Sequence, residues 1–199
     1  MRRPVVYYVR HGLTDWNVQG RLQGQHDIPL NREGRAQSVR CGELLRDLFA
    51  RDGRTAQDFD YVSSPLVRAR ETMDLLRATL GLEPAGYRVD ARLAEIAFGE
   101  WEGLTLEEVL ARDKDVIARR DSDKWHFLSP DGESYEQVAK RVGASFDALK
   151  RDAVVTAHGG TGRALIAHLG IEPHEEATHQ SIDQGVVYVF ADNRVVRYG

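Results

Sequence analysis

The stretch VVYYVRHG, residues 5–12, decides the fold of this chain, because a second stretch of the same kind, AVVTAHG, occupies residues 153–159. Each is a short apolar run, rich in β-branched residues, that stops at a His-Gly pair. Such runs are typical of buried strands in a mostly parallel sheet. Ligands bind to these sheets where the carboxyl ends of the strands meet the loops. The sequence therefore predicts that His11 and His158 lie on one rim of the sheet.

A third strand-like run, Phe59 to Ser63, leads into the segment SPLVR, residues 64–68. If this strand is parallel to the others, Arg68 arrives in the first turns of the next helix, close to the same rim. Arg10 already lies there, beside His11. Two histidines and two arginines at one edge indicate a binding site for an anion, and we interpret that anion as phosphate.

The composition fits one globular domain over residues 1–199, with 42% hydrophobic and 29% charged residues. A net charge of −4 argues against nucleic acid or an anionic membrane as a partner and favours a small phosphorylated metabolite. The single Cys41 excludes an intrachain disulfide and favours a reducing, cytoplasmic location. No run resembles a signal peptide or a membrane span. The sequence does not indicate an oligomeric state.

Strand-like and helix-like segments alternate along the chain, which predicts an α/β fold: a three-layer α/β/α sandwich around a mostly parallel, mixed central sheet. Residues 14–30 read as a long loop. The remaining signals predict helices over 31–50, 65–80, 105–112, 134–150 and 160–169, a strand over 87–93, and a hairpin of 185–191 with 194–197 around Asp192-Asn193.

The candidate nucleophile is an imidazole. No glycine-rich phosphate loop with Lys-Ser/Thr is present, and Cys41 lies outside the predicted rim. Histidine forms covalent intermediates when its attacking nitrogen is unprotonated. Nearby Arg10, Arg68 and a second histidine disfavour the imidazolium and lower its pKa. The same positive charges would therefore bind phosphate and keep the nucleophile ready.

A carboxyl group is needed to protonate the leaving oxygen and later to activate water. The run LAEIAFGEWEG, residues 93–103, supplies Glu95, Glu100 and Glu102. The residues alone do not choose among the three acids. Two histidines with Glu95 also make a possible metal set, but arginines in the same site would oppose a dication. We therefore expect neither a metal nor another cofactor.

Several motifs in this chain resemble the histidine phosphatase superfamily, also called the phosphoglycerate mutase-like family. They stand in family order and spread over most of the sequence. The matching segments are VRHGLTDWNVQGRLQGQHDIPLNREGRAQ (9–37), SSPLVRARET (63–72), LAEIAFGEWEG (93–103), PDGES (130–134) and VVTAHGGTGRALI (154–166). One position departs from the pattern: Leu13 stands where many members have glutamate, and we expect this to alter the pocket mouth rather than the phosphoryl chemistry.

The resemblance implies roles for ten residues. His11 would be phosphorylated during turnover, and Glu95 would be the proton donor. The resemblance also implies a mixed sheet with one antiparallel edge strand and no metal or organic prosthetic group. The remaining implied residues are Arg10, Arg68 and His158 as phosphoryl-binding catalytic groups, and Asn17, Thr14, Gln23, Gly24 and Gly159 as substrate-binding positions, with Gln23 and Gly24 lining the mouth.

Three functions remain open from the sequence. A phosphatase discharges the phosphohistidine to water, whereas a cofactor-dependent phosphoglycerate mutase passes the phosphoryl group to a bound product. The chain is compact, which favours the phosphatase, although fold does not settle function. A module that binds phosphorylated ligands without turnover is disfavoured because His11 and the acidic residue are both retained.

The other conspicuous residues are given structural roles. Two interpretations of the segment 114–125, with Arg119, Arg120 and Lys124, stay open: it borders the entrance and selects the substrate, or its charges form only a solvated helix face. Residues 132–134 are interpreted as a helix cap. We expect exposed or packing positions for His26, His126, His168, His174 and His179, solvated charges for Glu100 and Glu102, a packing role for Trp101, and exposed positions for Arg70 and Arg77.

Overall fold

A single mixed sheet organises the computed structural model, which describes residues 3–112 and 114–199. Helices and strands alternate along most of this part of the chain. In chain order the elements are β1 (Val6–Arg10), α1 (Asp15–Val18), α2 (Arg32–Arg51), β2 (Asp60–Ser63), α3 (Val67–Thr79), β3 (Arg88–Val89), α4 (Leu106–Arg112), α5 (Val116–Ser122), α6 (Tyr135–Asp147), β4 (Ala153–Ala157), α7 (Gly159–His168), α8 (His174–Ala177), β5 (Val187–Ala191) and β6 (Arg194–Tyr198).

The strand order in this sheet is β3-β2-β4-β1-β5-β6. The first four strands in that order are mutually parallel, and β5 pairs antiparallel with both β1 and β6. The antiparallel strand therefore lies one place in from the edge, not at the edge itself. The reason is the hairpin at Asp192-Asn193, where φ values of 49° and 56° form the left-handed turn that returns β6 along β5.

Helices cover both faces of the sheet, which confirms the predicted α/β/α sandwich. On one face α2 packs against α3, and on the other α6 packs against α7. Adjacent residues of a strand point to opposite faces, so Tyr7 packs in the core cluster with Leu45 while Tyr8 packs in the cluster with Leu165. Each face of the central strands is thus buried, as their continuous apolar sequence requires.

The register of the parallel strands decides where the histidines lie. Arg10 at the end of β1 is the register partner of Ala157 at the end of β4. His11 and His158 each follow directly, and the His11 amide donates to the Ala157 carbonyl over 2.9 Å. The carboxyl ends of β1 and β4 therefore present both imidazoles at one rim, as the doubled motif predicts.

Two local predictions were wrong in detail. Residues 14–30 are not all loop, because Thr14 and Asn17 form a reciprocal capping box that begins the short helix α1. The strand expected over 87–93 is only β3. It stops at Asp90, whose side chain accepts the Arg92 amide and caps a 3₁₀ turn. Short polar residues of this kind compete with a strand ladder by bonding the nearby backbone.

Helix boundaries otherwise shift by only a few residues from those expected. Pro65 does not open α3, since Leu66 is its N-cap and Val67 its first residue. Cys41 is a buried free thiol, and burial raises its pKa to about 12. Within residues 3–112 and 114–199, no helix combines the length and apolarity needed to cross a membrane.

Candidate active site

The rim formed by β1 and β4 brings two imidazoles together. The ring centroids of His11 and His158 lie 5.2 Å apart with an angle of 56° between the ring planes. Both side chains are buried, with residue exposures of 2% and 0%. A pair of histidines this close cannot easily carry two charges, because burial and mutual repulsion both disfavour the imidazolium.

A backbone hydrogen bond fixes the tautomer of His11. Its Nδ1 lies 2.7 Å from the carbonyl oxygen of Gly12, and because a carbonyl only accepts, Nδ1 must carry the hydrogen. Burial, then the charge of Arg68, then that of Arg10 hold the His11 pKa well below its usual value. The ring is therefore neutral near pH 7, with the unshared electron pair on Nε2.

His158 is the N-cap residue of α7. A hydrogen bond to a neighbouring side chain fixes its ring. Its Nε2 lies 2.6 Å from the hydroxyl of Ser64, a residue at the end of β2 that the sequence analysis did not single out. The Tyr8 hydroxyl donates to the His158 carbonyl and accepts from its amide over 3.0 Å. Burial, then Arg68, lowers the pKa of His158 well below its usual value.

Arg10 and Arg68 are held by backbone carbonyls rather than by carboxylates. Arg10 Nη1 donates to the Ile182 carbonyl over 2.8 Å. The two Nη atoms of the fully buried Arg68 donate to the carbonyls of His26 and Gly24, each over 2.7 Å. Burial lowers the pKa of Arg68 to about 10. Both arginines thus keep their positive charge near neutral pH without an ion pair of their own.

Three buried nitrogens at this rim have no hydrogen-bond partner among the described residues: Nε of Arg10, Nε of Arg68 and Nδ1 of His158. Buried polar atoms are nearly always hydrogen-bonded, so a group of them calls for an explanation. Two of the three belong to fixed cations. A bound anion with several acceptor oxygens, such as a phosphoryl group, would satisfy them together.

Glu95 approaches the same rim from the segment after the 3₁₀ turn at 91–93. Its Oε2 accepts the amide of Gly160 over 3.1 Å, and its Oε1 accepts that of Thr161 over 3.3 Å and that of Ile96 over 2.9 Å. A carboxylate here lies at the N-terminus of α7, where the helix dipole favours negative charge. The Glu95 carboxylate thus contacts the backbone just after His158, the N-cap residue of α7.

Asn17 and Thr14 belong to a hydrogen-bond network next to the backbone of His11. The side-chain oxygen of Asn17 accepts from the Thr14 amide over 3.2 Å and from Gln184 Nε2 over 3.0 Å. Gln184, which the sequence did not indicate, also donates to the His11 carbonyl over 3.2 Å. Gln23, which the sequence analysis places at the pocket mouth, is a buried residue whose side-chain oxygen accepts from the Thr14 hydroxyl over 3.0 Å.

Two glycines lie beside the cations of the rim, and one of them, Gly24, is needed for a close approach. A Cβ on Gly159 would lie 3.7 Å from Arg10 Cζ and 3.6 Å from Arg163 Nη1, so the first turn of α7 lies directly against two guanidinium groups. Gly24 has a φ of 50°, and a side chain there would overlap Glu102. Only glycine adopts this conformation without strain while its carbonyl faces Arg68.

Arg163 is a third cation at this rim that sequence reasoning missed. Its Nε donates to the Gln180 carbonyl over 2.8 Å, and its Nη1 donates to the Tyr135 hydroxyl over 3.3 Å. It lies four residues after Gly159, one helical turn along the same face. That spacing, inside the segment HGGTGR, was the signal that could have revealed it.

Two expectations about surface charges were wrong. Glu102 is not a solvated loop charge: its side chain is 11% exposed, and it accepts hydrogen bonds from the amides of Gln25 and Phe98, because it joins two loops at the rim. Arg77 is buried, with its guanidinium 4.4 Å from the ring centre of Tyr61.

The remaining expectations about exposed and packing residues agree with the structure. Glu100, Arg70, His26, His126, His174 and His179 are exposed, whereas His168 is half-buried beside Gly143. Trp101 packs against Phe127 with ring centroids 5.5 Å apart.

The segment 114–125 contributes further positive charge. Lys124, just after α5, donates to the Thr178 carbonyl over 2.7 Å. Burial, then the charges of Arg120 and Arg163, lowers the pKa of Lys124 to about 8. Lys124 therefore lies close enough to both the Arg120 and the Arg163 guanidinium groups to feel their charges. Arg119 is exposed on the same helix.

Among the described residues, no group of three or more His, Cys, Asp and Glu side chains is arranged to hold a metal ion. The fold and this rim define an α/β protein of the phosphoglycerate mutase-like type with a compact anion site built on two histidines. Residues 6–193 match the family model described as the histidine phosphatase superfamily (branch 1). The chain belongs to this superfamily.

Relatives with assigned names include both phosphatases and mutases. The chain is 36% identical over 183 residues to the glucosyl-3-phosphoglycerate phosphatase of Mycobacterium tuberculosis, covering 85% of this chain and 76% of that protein. It is 34% identical over 140 residues to a protein of Citrobacter koseri named probable phosphoglycerate mutase GpmB, covering 70% of this chain. This match spans only 60% of the length of that relative.

A solved structure agrees with the same grouping. The structure of mycobacterial glucosyl-3-phosphoglycerate phosphatase with VO3 superimposes with a TM-score of 0.78 and is 33% identical, and the match covers 95% of this chain and 92% of that one. The similarity therefore extends across the sheet and both helical layers.

Proposed function

We propose that this protein is a phosphomonoesterase that hydrolyses small phosphorylated metabolites through a phosphohistidine at His11. One observation carries the proposal: the Gly12 carbonyl holds Nδ1–H of a buried, neutral His11, which leaves Nε2 as the nucleophile. The membership of the histidine phosphatase superfamily and the phosphatase among its relatives support it.

In the first step Nε2 of His11 attacks phosphorus, and the bond from phosphorus to the ester oxygen breaks. Glu95 gives a proton to that oxygen, and the alcohol leaves. In the second step water attacks the phosphohistidine, Glu95 takes a proton from the water, and inorganic phosphate leaves while Nε2 regains its electron pair. Arg10 and Arg68 stabilise the charge on the transferring group throughout.

Glu95 suits this exchange of roles. Each carboxylate oxygen has two acceptor positions, and the Gly160 amide is a single donor to Oε2. The second position on Oε2 can carry the proton that the leaving oxygen receives.

The remaining rim residues are assigned by their contacts. We assign His158, the amide of Gly159 and the side-chain amide of Asn17 to the phosphoryl oxygens. Thr14, Gln23 and Gly24 would act on the substrate indirectly: the Thr14 amide donates to Asn17, the Thr14 hydroxyl donates to Gln23, and the Gly24 carbonyl accepts from Arg68. That Gln23 and Gly24 line the mouth stays a prediction.

The conditions of function belong to the same proposal. We infer that catalysis needs no metal, that residues 114–125 border the entrance, and that the protein acts in the cytoplasm as one domain without nucleic acid or membrane partners. The cationic side chains of Arg120, Lys124 and Arg163 near the rim support the assignment of the entrance.

Rapid-quench labelling tests the proposal. A ³²P-labelled monoester that is turned over should leave an acid-labile, alkali-stable adduct that maps to His11 and is absent in His11→Ala. Replacing the exposed His179 by alanine is the matched control and should leave the adduct in place. Turnover should persist with excess EDTA. Absence of the adduct during turnover contradicts the histidine mechanism, and loss of activity with EDTA contradicts metal independence.

A mutase is the second candidate, because several relatives carry that name. A mutase would interconvert 2- and 3-phosphoglycerate, respond to 2,3-bisphosphoglycerate and release little phosphate. The result we expect is net phosphate release from p-nitrophenyl phosphate or a sugar phosphate, with no stimulated interconversion of the two phosphoglycerates. A module that only binds phosphorylated ligands would show neither reaction.

A further inference from the structure

An ion pair lies next to the backbone segment that carries Glu95, outside the group of histidines and arginines assigned to phosphate binding. Arg141 on α6 and Glu133 just before α6 form a two-point ion pair, with Nε to Oε1 and Nη2 to Oε2 each 2.8 Å. Both side chains are largely buried, with exposures of 20% and 23%. Burial raises the pKa of Glu133, but hydrogen bonds from Arg141 and the Ala97 amide outweigh it and hold that pKa below its usual value.

The rest of the guanidinium faces the backbone that carries Glu95. Arg141 Nη1 donates to the carbonyls of Arg92 and Ala94 over 2.7 and 2.6 Å. Its Nη2 donates to the carbonyl of Glu95 itself over 3.0 Å. A guanidinium has five N–H donors, and all five are used, three of them on this one segment.

Glu133 holds the same segment at its far end. Its Oε2 accepts the Ala97 amide over 3.0 Å, and its own amide donates to the Ala97 carbonyl over 2.9 Å. The backbone from residue 92 to residue 97 is therefore fixed at both ends and at the acid. Ser134 does cap α6 by accepting the Gln137 amide, as the sequence predicts, but the cap does not explain Glu133.

We propose that Arg141 and Glu133 are positioning residues that set where the Glu95 carboxyl lies relative to the leaving oxygen. Neither side chain bonds the Glu95 carboxyl, which is held separately by the first turn of α7. Proton transfer needs the donor within about 3 Å of the oxygen that it protonates. A segment held by an extended, multiply bonded pair meets that demand better than a free loop.

The proposal rests on the proposed role of Glu95, so the test separates the two. The measurements compare kcat/KM, which reports the first phosphoryl transfer, for p-nitrophenyl phosphate and phenyl phosphate. The two esters have similar shapes, but nitrophenolate hardly needs a proton to leave, whereas phenolate does. Misplacing the acid should therefore slow phenyl phosphate selectively.

Arg141→Lys keeps the charge but removes the five-point geometry. We expect about a 100-fold loss of kcat/KM on phenyl phosphate, the scale of a displacement of about 1 Å, with a much smaller loss on p-nitrophenyl phosphate and unchanged inhibition by inorganic phosphate. In the double variant that carries Arg141→Lys and Glu95→Gln, kcat/KM on phenyl phosphate should be little lower than in Glu95→Gln alone, because both changes remove the same function.

Glu133→Gln is the second variant and keeps the size of the side chain, so it carries the same comparison if Arg141→Lys does not fold. Arg54→Lys is the matched control, since Arg54 pairs with Asp152 beside the start of β4, away from the acid. It should not change the ratio of the two substrates.

The outcomes are distinct. Equal losses on both esters in the Arg141 and Glu133 variants, or no loss, overturn the positioning role if Glu95→Gln shows the selective loss. If Glu95→Gln itself shows no selectivity, the acid role proposed for Glu95 fails, and the positioning role fails with it.

Discussion

At the scale of single residues, Arg68 shows how a cation is kept for a ligand. Each Nη atom donates one hydrogen to a backbone carbonyl, and the Nε–H, which has no partner among the described residues, remains for the phosphoryl group. The sequence could indicate Arg68 by its place after a strand, but not the carbonyls that fix it, because these come from the folded loop at 24–26. The sequence did not indicate Glu133 and Arg141 for a similar reason, because their contacts join residues that are far apart in the chain.

Replacing Arg68 by alanine should remove one fixed charge from the transition state. We expect kcat/KM to fall by at least 10², about 3 kcal/mol, with inhibition by inorganic phosphate weakened in parallel. Arg70→Ala on the same helix is the control, because Arg70 is exposed. Steady-state kinetics with phosphate as inhibitor measure both effects, and unchanged phosphate inhibition would show that Arg68 does not touch the anion.

The two histidines also predict how stability depends on pH. Both have pKa values well below 6.5 in the folded protein, so the unfolded chain binds more protons than the folded one below about pH 6.5. The free energy of unfolding should therefore fall as pH drops from about 7 to 5, by up to about 1.4 kcal/mol per pH unit for each histidine.

Asp90 does not contribute to the change in the free energy of unfolding between pH 7 and 5, because hydrogen bonds from Arg92 keep the pKa of Asp90 far below its usual value. Urea unfolding at several pH values measures the slope, and His11→Asn should reduce it by about half. A free energy of unfolding that stays constant from pH 7 to 5 would contradict neutral, buried histidines.

At the scale of elements, the loop after β1 and the first turn of α2 meet backbone to backbone. A Cβ on Gly34 would lie 2.1 Å from the Leu13 carbonyl oxygen, and one on Gly12 would lie 2.2 Å from the Gly34 carbonyl oxygen. Neither neighbour is a flexible side chain that can move aside. This contact sets how closely α2 approaches the segment that carries His11.

Gly34→Ala should therefore force the two elements apart. We expect a loss of about 1–3 kcal/mol in the free energy of unfolding, together with reduced activity because the His11 loop shifts. Arg46→Ala, at an exposed position of α2, is the control and should change neither. Full stability in Gly34→Ala, measured by urea unfolding, would show that the contact relaxes easily.

Elements with long, regular patterns were predictable, and short ones were not. Continuous apolar runs predict the strands β1 and β4, and capping residues predict the helices α2 and α6. The sheet and both histidines could therefore be placed from the sequence. The helix α1 and the strand β3 are four and two residues long, and their existence depends on local hydrogen bonds that no periodicity shows.

At the scale of the whole molecule, the two core clusters on the faces of the sheet are anchored on the same strands. Val155 of β4 belongs to one cluster and Val154 to the other, so neither layer of helices has a core of its own. We propose on this basis that the chain unfolds as one domain. Far-UV and near-UV circular dichroism should give one coincident transition in urea, and two separated transitions would contradict a single domain.

The three unbonded buried nitrogens at the rim also bear on the lifetime of the protein. A buried polar atom that has no partner weakens a fold by about 1–3 kcal/mol, and a bound anion can satisfy these three. An occupied rim removes that weakness, because a ligand bound only by the folded state lowers the population of opened chains. Proteases attack opened chains, so substrate or phosphate supply should help to set how long each copy survives.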